Sequence, residues 1–148
     1  MTQTIKSGPA PTRKYLPTLA DLIDRWTIVQ LKEIFITEHS AEYRNERSLI
    51  EHDIDLILGE LGRSFGVREL WAVTIIMLSN RFIWENESKA RAGGSEQDKL
   101  LKLTHSINGV RNRAKNIIAA FEDGRPDYKL DCLAAELDGQ FGNWNIFN

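Results

Sequence analysis

Leu100, Leu103, Ile107, Val110, Ala114, Ile117 and Phe121 recur at intervals of three and four. That spacing returns to one face of an α-helix and cannot alternate across a strand. The stretch therefore has to be helical and has to bury that seam against other helices. The rule extends along the chain, because no long alternating run survives outside the helical patterns.

Thr18, with Pro17 before it and Asp21 three residues on, forms a capping box in which Asp replaces the usual Glu. The first helix is predicted to run from there to Glu38. Its apolar residues, among them Leu19, Ile23, Trp26, Val29, Leu31 and Phe35, fall on nearly every side. Such a helix is central or lies in a subunit interface, and its buried polar groups need partners. A second helix spans Ala41 to Leu61, with Ile50, Ile54, Ile57 and Leu61 on one face. Gly59, Gly62 and Gly66 punctuate the break after it. A third runs from Val67 to Arg91 with a nearly apolar middle, Leu70 to Leu78. Gly93 and Gly94 end it, and Ser95 with Asp98 is expected to cap the fourth.

Gly124 and Pro126 mark a stop, and Leu130, Leu133, Ala134 and Leu137 point to a short fifth helix. Phe141, Trp144, Ile146 and Phe147 make a tail too aromatic to stay in water, so it is expected to dock on its own domain or on a partner subunit. The predicted fold is all-α: a bundle of four long helices plus a short C-terminal helix and an aromatic tail. Residues 1–16 read as a flexible basic arm and 17–148 as one helical-bundle domain.

The chain has 148 residues and a formal net charge of -2, which argues against a dedicated DNA-binding protein. One cysteine, Cys132, precludes an internal disulfide and fits a reducing cytoplasm. No apolar run suits a signal peptide or a membrane span, so a cytoplasmic protein with no membrane and no nucleic-acid partner is expected. Neither GxxxxGK[ST], GxGxxG, GxSxG nor HExxH occurs, so the usual signals of phosphate loops, dinucleotide folds, serine hydrolysis and zinc proteolysis are absent.

Charge is unevenly spread. From Lys99 to Phe121 there is no Asp or Glu, while Lys99, Lys102, Arg111, Arg113 and Lys115 supply cations and Asn108, Asn112 and Asn116 amides. Such a helix is either paired with carboxylates of its neighbours or open to an anion. Asn108, Arg111 and Lys115 flank its apolar seam with Asn112 beside them, where a bundle builds a polar pocket. On the third helix Asn80, Trp84, Glu87 and Arg91 follow at four, three and four and share a stripe, with a Glu87–Arg91 ion pair as its plainer reading. Glu51 and Asp55 project together from the second helix and suit a hard divalent cation, or else a solvated face. His105 has no second His at ligand spacing, so zinc is not expected.

LPTLADLIDRWTIVQLKEIF (16–35), LSNRFIWENESKAR (78–91) and LTHSINGVRNRAKN (103–116) resemble a group of short helical proteins of bacteriophages and bacteria with no established function. The marker is Trp84 and Glu87, followed on the next helix by Asn108 and the pair Arg111-Asn112. The resemblance implies an all-α fold and a shared polar centre, and no reaction. The chain is similar in size and helix count to the all-α nucleoside triphosphate pyrophosphohydrolases, whose ExxE and ExxD motifs hold magnesium. It departs from them: Asp21 and Asp24 make a DxxD, Glu51 and Asp55 are one residue too far apart, and Glu85 and Glu87 one too close.

Three functions stay open. The first is binding of a phosphorylated, nucleotide-like small molecule by Asn80, Trp84, Glu87, Asn108, Arg111, Asn112 and Lys115, with no cofactor. The second is a magnesium-dependent phosphoanhydride hydrolase, with Glu51, Asp55 and Glu87 as metal ligands, Asp24 as an optional fourth, and the cations of helix four gripping the phosphates. The third is an interaction protein, homo-oligomeric through helix one and the aromatic tail.

Overall fold

A computed structural model describes residues 11–123. Its order is α1 (Leu19–Phe35), a 3-10 turn (Thr37–His39), α2 (Ser40–Leu61), α3 (Val67–Arg91) and α4 (Gln97–Phe121). No strand occurs among the described residues, and the fold is all-α. No described helix is long and apolar enough to cross a membrane. The predicted short C-terminal helix and aromatic tail lie outside the described residues, as do the first ten residues of the arm.

α1 opens on the expected capping box. The Thr18 N–H donates to Asp21 Oδ2 at 3.1 Å, and the Asp21 N–H donates to Thr18 Oγ1 at 3.2 Å. The helix stops earlier than Glu38. Ile36 leaves helical geometry at φ -115° and ψ 80°, and the chain turns through Thr37–His39 into α2. Two adjacent β-branched residues, Ile36 and Thr37, favour such a break. Gly62, left-handed at φ 61°, ends α2 as a glycine cap. Ser95 does not cap α4. Glu96 occupies that position with no side-chain cap, and its carboxylate meets Lys99 instead, 3.5 Å away.

The helices form two hairpins, α1–α2 and α3–α4, and α1 alone packs on all three others. That placement explains why its apolar residues point everywhere. The core lies where α1, α3 and α4 meet, around Leu19, Ile23, Ile76 and Ile118. Each of these is fully or almost fully buried, which contributes about 1.5–3 kcal/mol per side chain.

Two further contacts close the ends of this core. Glu122 Oε2 accepts the Leu19 N–H at 2.7 Å, so the end of α4 caps the start of α1 across 103 positions. Beside it the Phe65 and Phe121 rings meet edge-on at 5.0 Å, and Arg63 lies over Phe121.

α2 is held differently. Only Ile50 is buried in it. Half-buried Ile54, Ile57 and Leu58 pack against the core, and polar ties to α1 run beside them: Trp26 Nε1 donates to Glu51 Oε1 at 2.9 Å, Arg47 bridges Glu51 and Glu33 at 2.7 Å each, and Arg44 reaches Glu33 at 3.1 Å. The Arg47 and Arg44 hydrogen bonds hold the Glu33 carboxyl below the usual range. The Trp26 N–H and then Arg47 do the same for Glu51, against a smaller effect of burial.

Candidate functional site

A polar ring sits directly beside the apolar core, built by three helices. Asn80, one turn along α3 from the buried Ile76, is itself 4% exposed. Its amide nitrogen donates to Asp24 Oδ1 and to Thr27 Oγ1, each at 2.8 Å. Its carbonyl accepts from Arg111 Nη1 at 2.9 Å. One turn away on α4, the Lys115 ammonium lies 3.3 Å from both Asp24 Oδ2 and Asp21 Oδ1. The ring therefore leaves α4 at Arg111, crosses α3 at Asn80 and α1 at Asp24, and returns to α4 at Lys115.

Local sequence explains why these groups survive burial. Thr27 donates its hydroxyl to the Asp24 carbonyl at 2.8 Å, the back-bond that lets a threonine sit inside a helix. Asn86, Thr104 and Ser106, also buried, bond the carbonyl four residues back in the same way. Burial pushes the Asp21 carboxyl up, but the Thr18 N–H and hydroxyl together with Lys115 outweigh it. The net position is below the usual carboxylate range.

Arg111 is the exception in this ring. It is half-buried, and among the described residues no carboxylate pairs with it. Its Nε is buried without a hydrogen-bond partner. A guanidinium presents five N–H groups in a rigid fork. Here Nη1 is used by Asn80, while the edge carrying Nε and Nη2 makes no hydrogen bond among the described residues. Two parallel N–H groups on one edge match the two oxygens of a carboxylate or phosphate. An unmet buried donor costs about 1–3 kcal/mol, which an oxyanion would relieve.

The residues singled out in the sequence are distributed as follows. Asn80 and Arg111 touch. Asn108 and Asn112 lie half-buried on α4 around Arg111. Trp84 is half-buried one turn along α3 from Asn80. The short connection makes α3 and α4 antiparallel, so Trp84 lies on the side of Asn80 towards that connection. Lys115 is turned towards α1 and its two aspartates. Glu87, two turns along α3 from Asn80, is exposed and pairs with Arg91 at 3.6 Å. His105 is exposed.

Glu51, Asp55 and Glu87 do not converge. The first two are on α2, the last is on α3, and these helices do not pack on each other. Glu51 is occupied by Trp26 and Arg47. Among the described residues no group of three or more His, Cys, Asp or Glu gathers to hold a metal ion.

Asp21, Asp24 and Thr27 are members of the ring that sequence reasoning did not place in the binding site, Asp24 having entered only as a further metal ligand of the hydrolase alternative. A signal was present: polar residues on a helix that is apolar all round must face burial and find partners.

Neither a protein-family model, nor a curated protein, nor a solved structure matches the chain.

Proposed function

We propose that the protein binds a phosphorylated, nucleotide-like small molecule between α3 and α4, with Arg111 as the anion-binding group. The observation that carries this reading is the Arg111 Nε, buried without a hydrogen-bond partner on a half-buried guanidinium that no carboxylate pairs with among the described residues. A phosphate or carboxylate accepts both N–H groups of such an edge at once. In this reading Asn108 and Asn112, half-buried on the same helix, would supply amides to the ligand, and Trp84, half-buried on α3, would supply a flat face for a ring or sugar. Lys115 contributes from behind, through Asp24 and Asn80, rather than by direct contact.

Native mass spectrometry of protein purified from cells tests the reading. A phosphorus-containing adduct on the wild type, lost in Arg111→Ala, is the expected result. An adduct retained equally by both proteins would place the ligand elsewhere.

A second reading, self-association, has its own support at the end of α1. Ile34 and Phe35 are 64% and 50% exposed although the other apolar residues of the helix are buried or half-buried, and Arg81 stacks over Phe35 at 4.3 Å. An oligomer formed through helix one would use this end. Light scattering of Phe35→Ser decides it: a lower mass than wild type supports the contact, and an equal mass removes it.

A further inference from the structure

We infer that Asn80 is the positioning residue for the oxyanion edge of Arg111: it pins one nitrogen of the guanidinium and so aims the Nε–Nη2 pair at the ligand. The inference rests on the Arg111 reading above.

The geometry fixes the Asn80 amide without ambiguity. The Thr27 hydroxyl hydrogen is committed to the Asp24 carbonyl, so Oγ1 has only lone pairs to offer Asn80. Asp24 Oδ1 also has only lone pairs to offer. The amide NH2 must therefore face α1 and the carbonyl must face α4. A flipped amide would set oxygen against oxygen twice and nitrogen against a guanidinium N–H once. With its amide fixed and 4% exposed, Asn80 is a rigid acceptor for Nη1. Because the guanidinium is planar, holding one Nη restricts the direction of its other edge.

The chemistry of the pin matters as much as its place. A carboxylate at position 80 would also accept from Arg111. It would in addition neutralise the cation and lie against Asp24 with no hydrogen to donate. An amide accepts from Arg111, donates twice to α1 and leaves the full positive charge for an anion. No other side chain of this size donates twice and accepts once. Asp24 in turn is held by Lys115, so the edge on α4 is oriented through α1 and α3 rather than by α4 alone.

The test is nuclear magnetic resonance of the full-length protein titrated with inorganic phosphate. In the wild type the Arg111 Nη signals are expected to be resolved, because the pinned guanidinium rotates slowly, and phosphate should shift the Nε–H signal. In Asn80→Ala the Nη signals should merge, and phosphate should bind roughly five- to ten-fold more weakly, the loss of about one hydrogen bond. If that variant unfolds, Thr27→Val serves, since it removes one of the two acceptors that hold the amide; a smaller loss in the same direction is expected. Phosphate affinity unchanged from wild type in a folded Asn80 or Thr27 variant overturns the positioning role. Arg111→Ala is the separate control. If it binds phosphate as wild type does, the Arg111 reading itself falls, whatever the Asn80 variants show.

Discussion

Asn80 Nδ2 and Asp24 Oδ1 stand 2.8 Å apart although 56 positions separate them in the chain. The bond joins the α3–α4 hairpin to the α1–α2 hairpin beside the apolar core. Asp24 also faces Lys115, with side chains only 14% and 18% exposed. Asp24→Ala removes one of the two acceptors that Asn80 and Lys115 each find on α1, leaving Thr27 to the first and Asp21 to the second. We expect a loss of about 2–3 kcal/mol in urea unfolding, below the range of about 3–5 kcal/mol for a fully buried pair because some solvent reaches this one. A double variant, Asp24→Leu with Lys115→Met, should recover part of that loss.

Arg111 separates shape from charge. Arg111→Lys keeps the cation but offers no parallel N–H pair. If the Nε–Nη2 edge seats a phosphate, Arg111→Lys should lose nearly as much affinity as Arg111→Ala, about 1.5–3 kcal/mol by calorimetry. Full rescue by lysine would mean that charge alone is recognised.

Stability should fall in acid, and the sign follows from three carboxyls. Asp21, Glu33 and Glu51 all sit below their ordinary range in the folded protein. Their contribution is complete above the unfolded carboxylate pKa of about 4 and is lost as pH drops through the lower folded values. The melting temperature is expected to decline below about pH 4.5, and Glu51→Gln should flatten that decline. A melting temperature independent of pH down to about 3 would contradict the assignment.

The core makes an independent claim. Ile76 is fully buried between α1, α3 and α4. Ile76→Ala should cost about 2–5 kcal/mol in denaturant unfolding. Leu49→Ala, on an exposed position of α2, should stay within about 0.5 kcal/mol of wild type.

Much of this architecture was legible in the residues. The three-and-four spacing of Leu100 to Phe121 specified α4 because period alone separates helix from strand. The short Gly93-Gly94 connection brought α3 back along α4, which is why the Asn80 and Arg111 rows could be expected to face one another. The register of α1 against that hairpin was not legible. Nothing in its own spacing says that Asp24 rather than Arg25 meets Asn80, since that choice is made by packing across 56 positions. The roles of Asn80 and Lys115 were hidden for the same reason: their partners, Asp21, Asp24 and Thr27, belong to a helix distant in sequence. The ion pair of Glu87 with Arg91 was visible because it needs only one helix.

The most direct measurement is calorimetric titration of wild type and Arg111→Ala with nucleoside mono-, di- and triphosphates. We expect at least one of them to bind the wild type, and to bind the variant at least about ten-fold more weakly, the equivalent of about 1.4 kcal/mol. Equal affinity of both proteins for every nucleotide that binds would contradict an oxyanion seat at Arg111.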